Sequence, residues 1–403
     1  MKILQIMNRI PYPLNDGGSL GIHYYMKGYL DAGVQLSVLA MNTSRDYVPI
    51  NNLPPIYKKL DHFEVIDINT DIHWWAALKN ILFEKTSYNV QRFNQEKVHT
   101  KLKALLKKEK FDIIHLDSLF VTDYITTIRK YSKAKIVLRQ HNIEYTIWNR
   151  LAKSSNSFWK RKYYEFLTKR IKNHEIRFKD AYDLVLTISA TDTKLFQELN
   201  PKSPILEHPF GIDIKNIDDN TAIIEKDKEI KIYHIGAMDW LPNQESVKYL
   251  LEEIAPTVLK KMHNISFHIA GRNMNQEWYK YANDNIHIYG EVPDAKEFEL
   301  DKNVLIVPLK SGGGVRIKIF QALAQGKLVL TSPVGIEGIE AKDKKEILLA
   351  NAIEDYVEAI DFIKNNPQLA NKIAKNGQEL IQKNYDADKN MMLLLRYYKE
   401  HLL

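Results

Sequence analysis

The feature that most constrains this chain is a repeated order. Short apolar runs alternate with helical stretches in two successive series. The first series is 2–7 (KILQIM), 34–40 (VQLSVLA), 63–68 (FEVIDI), 111–116 (FDIIHL), 135–139 (KIVLR) and 183–189 (DLVLTIS). Runs of this kind suit strands buried on both faces of a parallel sheet. The stretch from Ser19 to Ala32 reads as a helix, and Gly33 falls where a helix end calls for positive φ. The second series is 231–235 (KIYHI), 265–270 (ISFHIA), 285–289 (NIHIY), 303–307 (NVLIV), 327–331 (KLVLT) and 346–349 (EILL). Between the two, residues 201–216 (PKSPILEHPFGIDIKN) break the pattern with prolines and a glycine and read as a hinge. The predicted architecture is α/β, with two doubly wound, Rossmann-like domains facing a central cleft. The domains are 1–210 and 211–385, and an apolar helix at 386–403 returns toward the first. At 403 residues the chain has the length for two domains of about 200 each.

Composition narrows the class. Hydrophobic residues make up 45% and charged residues 27%, as in a globular protein. No apolar run approaches the roughly 18 residues that cross a bilayer. The N-terminal stretch reads as a first strand and not as a signal peptide. Cysteine is absent, which excludes disulfides and thiolate metal sites and suits a reducing cytoplasm. The net charge of +7 favours anionic partners such as nucleotides or an acidic membrane surface. Nothing beyond this charge points to nucleic acid.

The stretch PLKSGGGVRIKIFQALAQG (308–326) follows an apolar run and opens a helix predicted from about Val315 to Gln325. Glycines let backbone N–H groups approach a ligand, and a helix N-terminus adds partial positive charge. Arg316 can fork onto two phosphate oxygens, with Lys318 a point charge close by. Lys318, Gln321 and Gln325 form a polar stripe, and Ile319, Phe320, Leu323 and Ala324 form the packed side. The bland alternative is a tight sheet corner carrying two solvated cations. Neither G-x-x-x-x-G-K-[ST] nor a G-x-G-x-x-G after the first strand occurs, so kinase-like and NAD-dependent chemistry have no support.

In order, HIGAMDWLPNQESVKYLLEEIAP, HIAGRN, IYGEVPD and VLIVPLKSGGGVRIKIFQALAQGKLVLTSPVGIEGI resemble the donor-binding domain of glycosyltransferase family 4, which has the GT-B fold. The likeness is to its bacterial polysaccharide-biosynthesis type. NDGGS, FDIIHLDS, RQHNIEY and LTISATD extend it more loosely through the first half. The resemblance implies a retaining transfer of a sugar from a nucleotide diphosphate sugar to an acceptor hydroxyl, the acceptor being a sugar or lipid-linked sugar. It implies no metal and no further cofactor, the diphosphate being neutralised by cations and backbone amides. It assigns catalytic roles to His141, Arg316 and Lys318. It assigns binding roles to Gly17 and Gly18, to Val292 and Asp294 by the nucleobase, and to Gly312, Gly313, Gly314, Val315 and Gln321. Ser19 is a candidate cap for the helix after the first glycine pair. Asp386 and Asp388 read as the cap of the last helix and not as a metal pair.

Departures from the family pattern sharpen the expectation. Two glutamates common in the family correspond here to Gly313 and Gln321. An Arg and a Lys that follow the second domain's first strand correspond to Ala237 and Asn243. Arg316 and Lys318 would have to supply the missing charge. A catalytically silent sugar-nucleotide-binding protein and a GT-B sugar-nucleotide epimerase are the alternatives.

His115 is read as packing in or near the sheet, and Glu144 as a surface carboxylate, the alternative being a carboxylate within reach of an acceptor hydroxyl. Residues 156–180 hold eight Lys and Arg against three acidic residues. Trp159, Tyr163, Phe166, Leu167 and Ile171 recur there at helical spacing. With Trp74 and Trp75 they suggest a peripheral contact at the inner face of a membrane. The ordinary alternative, a helix packing that stripe on its own sheet, is preferred.

Overall fold

A computed structural model describes residues 1–403 apart from 15, 72, 85, 156, 218–222 and 313–314, and apart from the side chains of 76–78, 81, 82 and 216. The chain divides into two compact units, Met1–Gly211 with Ala387–Leu403, and Ile212–Asp386.

The first unit carries strands β1 (Lys2–Met7), β2 (Gln35–Thr43), β3 (His62–Ile68), β4 (Ile113–Asp117), β5 (Lys135–Gln140), β6 (Leu184–Thr187) and β7 (Ile205–Glu207). They pair in parallel in the order β3-β2-β1-β4-β5-β6-β7. This is a doubly wound sheet whose order reverses between β1 and β4. The six strands predicted here are all present. The seventh, β7, lies inside the stretch read as a hinge. With only Ile205 and Leu206 apolar between Pro204 and Glu207, it carries too little pattern for periodicity to reveal.

Alternation along the strands splits the core into two layers. Leu4, Ile6, Ile114, Leu116, Ile136 and Leu138 face one, and Ile3, Met7, Ile113 and Val137 face the other. The second layer is covered by the helix Gly17–Asp31 and by the last helix, Ala387–His401, through Met391, Leu394, Leu395 and Tyr398. Met391 packs into the space that Gly28 leaves, where a Cβ would lie 2.6 Å from its Cε.

The second unit carries β8 (Ile230–Ile235), β9 (Ile265–Ala270), β10 (Ile286–Gly290), β11 (Val304–Val307), β12 (Leu328–Thr331) and β13 (Leu348–Leu349). Their parallel order is β10-β9-β8-β11-β12-β13, the same reversal falling between β8 and β11. Both units are therefore Rossmann-like.

Candidate active site

In a doubly wound sheet, ligands bind beyond the carboxyl ends of the strands at the order reversal. In the second unit that place is lined with bare backbone. β8 and β9 are followed by Gly236 and Gly271 and β10 ends at Gly290, joined by Gly236 N–H to the Ala270 carbonyl (3.1 Å) and Gly271 N–H to the Gly290 carbonyl (2.7 Å). A Cβ on Gly271 would collide with the Gly236 carbonyl, and Gly290 holds φ +70°. Beyond β11, Gly312 holds φ +117°, a backbone conformation that L side chains rarely adopt. Ser311 donates to Glu245 at 2.6 Å and ties this loop down.

The helix after the loop is Ile317–Ala324, with Arg316 in the cap position. It starts two residues later than the sequence suggests. Ile319, Phe320, Leu323 and Ala324 are buried as predicted. Lys318 is not the solvated member of a polar stripe. Its ammonium turns onto the end of β8, donating to the Ile235 carbonyl (2.8 Å) and to Asn243 Oδ1 (3.1 Å). Asn243 in turn donates to the Ala237 carbonyl at 2.8 Å. Gly236 makes the room, since a Cβ there would stand 3.0 Å from the Lys318 ammonium and 2.9 Å from Asn243 Nδ2. Burial, with the neighbouring Arg316 guanidinium, lowers the Lys318 pKa to about 7, against a smaller opposing pull from Glu299. His234, fully buried beside it, is held neutral by burial, and its Nδ1 donates to the Ile306 carbonyl at 2.8 Å. The reading of two solvated cations on a sheet corner thus fails at Lys318.

In the first unit the order reversal carries a buried polar column within an apolar layer. Gln5, His115, Asp117 and Arg139 occupy adjacent positions on β1, β4 and β5, each almost or wholly inaccessible. Gln5 donates to Asp117, and Arg139 approaches Asp117 at 3.4 Å. Burial alone would raise the Asp117 pKa, but His115, His141 and Arg139 hold its carboxylate ionised far below the ordinary range. Arg139 lies over the Tyr25 ring, 4.8 Å from its centroid, and fills space left by Gly21, where a Cβ would stand 2.5 Å from the guanidinium. Tyr25 shares a 2.5 Å hydrogen bond with His208. His141 follows β5 with its Nε2 2.7 Å from Arg139 and 3.4 Å from Asp117. Burial and the Arg139 charge bring the His141 pKa down to about 4, Asp117 pulling the other way. Ser118, next after Asp117, holds φ +96°, a strained conformation for a serine.

Residues 229–366 match the family model "Glycosyl transferases group 1". Taken with the two Rossmann-like units, this decides the class. The chain is a GT-B glycosyltransferase. An uncharacterized 44.6 kDa protein in the cps region of Klebsiella pneumoniae is 24% identical over 410 residues, covering 96% of this chain and 97% of its own. Among solved structures, sucrose-phosphate synthase from Thermosynechococcus elongatus superposes with a TM-score of 0.69 at 14% identity, over 99% of both chains. Anabaena HepE in complex with UDP-glucose gives 0.64 at 12% identity, over 99% of this chain and 100% of its own.

Within the glycosyltransferase, the remaining candidates are placed as follows. Gly17 and Gly18 open the helix Gly17–Asp31, but its cap is Asp16 and not Ser19. Asp16 accepts from Gly18 N–H (2.8 Å) and Ser19 N–H (3.0 Å) while paired with Arg9. The Gly18 amide is thus turned to a carboxylate of its own loop, and Ser19 sits buried in the first turn. Asp294 caps the helix Ala295–Glu299, accepting from Lys296 N–H at 2.7 Å, and Val292 is half-buried after β10. Gln321 is exposed, Val315 half-buried, and Gly313 and Gly314 lie outside the described residues.

Sequence reasoning missed Asp117, Arg139 and Asn243 as partners of the candidates. For Asp117 and Arg139 the visible signal is a polar residue at or near the end of an otherwise apolar strand, whereas Asn243 lies inside the helix Leu241–Tyr249 and has no such signal. It also placed Glu144 on the surface. Glu144 is half-buried at the start of the helix Glu144–Ser154, and its N–H donates to the buried Glu175 at 3.0 Å. Burial raises the Glu144 pKa to about 7 and, with the Glu144 charge adding, that of Glu175 to about 8.

Proposed function

We propose that this glycosyltransferase moves a sugar from a nucleotide diphosphate sugar to an acceptor hydroxyl with retention of anomeric configuration, without a metal, in the manner of family 4. One observation carries the reading: Lys318, with Arg316 near enough to lower its pKa, sits on the Ile235 carbonyl and Asn243 at a carboxyl edge lined by glycines. Such an edge suits a diphosphate, which needs positive charge and close backbone. Support comes from the group 1 match and from the likeness to a protein whose structure holds UDP-glucose. The cps-region relative favours a role in assembling a polysaccharide or glycoconjugate. In the transfer, the anomeric C–O bond to the leaving phosphate breaks while the acceptor oxygen bonds the same carbon on the same face. The acceptor proton passes to the leaving phosphate oxygen. Arg316 and Lys318 offset the charge that grows on the leaving group. His141 is assigned to the transferred sugar, and Val292 and Asp294 to the nucleobase end. Incubating the enzyme with UDP-glucose in EDTA and following UDP release tests the reading. Release should persist in EDTA and fall in Arg316→Ala. A strict requirement for Mg²⁺ or Mn²⁺ would overturn metal independence, and no binding of any nucleotide diphosphate sugar would overturn the function.

A further inference from the structure

The aromatic stripe of residues 156–180 does not pack on the sheet. In the helix Phe158–Phe178 the core-facing side chains are Leu167, Ile171 and Phe178, whereas Trp159, Tyr163 and Phe166 are exposed, Trp159 to 81%. These three recur at i, i+4 and i+7 and line one face. One turn on, Arg170 stacks over Phe166 (4.9 Å) and donates to Asn80 at Oδ1 (2.8 Å) and at the carbonyl (3.0 Å). Asn80 belongs to the helix Trp74–Phe83, so the two helices are clamped together. That second helix exposes Trp74 (63%) and Trp75 (66%), their rings stacked with centroids 3.6 Å apart, and Phe83 at its other end. Exposed aromatic side chains thus stand on both of two joined helices of one unit.

The charge around them is mostly positive, with Glu165, Glu84 beside Phe83 and Asp71 before Trp74 as the exposed acidic exceptions. The helix Trp74–Phe83 carries Lys79 and no acidic residue. The helix Phe158–Phe178 carries Lys160, Arg161, Lys162, Lys169, Arg170, Lys172 and Arg177 against Glu165 and the buried Glu175. Lys162 and Lys169, both exposed, flank the aromatic stripe on its outer side, Lys162 also meeting Glu165 at 2.9 Å. A second copy of the chain meeting this face by two-fold symmetry would bring like charges together. An anionic bilayer offers the opposite charge and an interface in which tryptophan is at home. Among the described residues no helix is long and apolar enough to cross a membrane, so a contact here lies on the surface.

We propose that this face seats the enzyme on an anionic lipid surface, with Trp74, Trp75 and Trp159 at the headgroup boundary and the flanking lysines on lipid phosphates. The inference does not depend on the donor or the reaction. Co-sedimentation with phosphatidylglycerol–phosphatidylcholine vesicles, against pure phosphatidylcholine vesicles, tests it. Binding should require the anionic lipid and weaken about tenfold or more between about 0.1 M and about 1 M salt. Trp74→Ser with Trp75→Ser, and separately Lys162→Glu with Lys169→Glu, should each lower binding about tenfold. Leu369→Ser, an exposed leucine of the other unit, should not. Absence of vesicle binding, equal binding to both vesicle types, or no loss in either double variant overturns the proposal. So does a dimer in sedimentation equilibrium that the tryptophan variant dissociates, since this face would then be an interface between copies.

Discussion

Arg139 donates to Nε2 of His141 at 2.7 Å, and this contact fixes which proton the imidazole carries. A guanidinium can only donate, so Nε2 is the acceptor and the neutral ring keeps its hydrogen on Nδ1. With the pKa brought down to about 4, the ring stays neutral through the physiological range. His141 can therefore offer a sugar one N–H and is a poor proton acceptor.

His141→Ala should accordingly lower kcat far more than it weakens UDP binding, because the contact is assigned to the sugar. His141→Asn, whose amide can also donate, should recover part of the loss. The wild-type kcat profile should show no break between about pH 5.5 and about pH 7.5 that His141→Asn removes. Equal losses in kcat and UDP affinity would make His141 structural.

Arg316→Ala should weaken UDP binding and slow transfer together, by about 2–4 kcal/mol in the transition state. Arg316→Lys should recover only part, since the forked geometry is lost. Uridine, with no phosphates, should bind parent and variant alike by calorimetry. Ala237→Arg should partly rescue Arg316→Ala, because the Ala237 carbonyl and the Lys318 ammonium share Asn243. Unchanged UDP affinity in a folded Arg316→Ala would reduce the loop to a corner of the sheet.

Lys318 ties diphosphate binding to pH. With its pKa lowered to about 7, it is largely neutral in slightly alkaline solution. An arriving diphosphate favours the ammonium and raises that pKa, so binding above about pH 7 should take up a proton. UDP affinity should fall as pH rises past about 7. Calorimetry in buffers of different ionisation enthalpy should detect the uptake, and Lys318→Met should abolish it.

The Glu144–Glu175 pair should govern alkaline stability. Both folded-state pKa values are raised, to about 7 and about 8. Their contribution is therefore complete below the ordinary carboxylate pKa of about 4.5, falls as pH rises from there, and is gone above about 8. Glu175→Gln keeps an acceptor for Gln140 and the Glu144 N–H but cannot ionise. It should remove much of the fall in Tm between about pH 6 and about pH 9, a difference of ~2 kcal/mol or roughly 3–6 °C. An unchanged Tm-versus-pH slope would show that the pair does not ionise in this range.

How much was legible in the sequence follows from what periodicity records. Twelve strands were readable because each lies in a stretch rich in apolar residues, even two-residue β13 within Ile347–Ala350, whereas β7 has only Ile205 and Leu206 between Pro204 and Glu207. Glycines and cations near 312–318 were readable as types. The turn of Lys318 onto Ile235 was not, because it depends on the space that Gly236 leaves across the sheet. Amphipathic spacing misled at Trp159, Tyr163 and Phe166. A stripe of aromatic residues looks the same in sequence whether it meets a sheet or faces outward. Asp16 was passed over for Ser19 as a cap because both are good capping types three residues apart, and only the backbone shows where the helix begins.

The last helix has a consequence for how the protein is made. Met391, Leu394, Leu395, Tyr398 and Leu402 complete a core layer whose other buried members lie in the first 211 residues, and Tyr398 meets Tyr29 at 3.1 Å. On a ribosome, the first unit emerges with one flank of its sheet uncovered and stays so while the second unit, Ile212–Asp386, is synthesised and can fold. At about 5–20 residues per second, the interval lasts on the order of ten to forty seconds. During it, apolar side chains around Tyr29 and Gly28 stand open to chaperones and to aggregation, and the unit translated first is the one finished last.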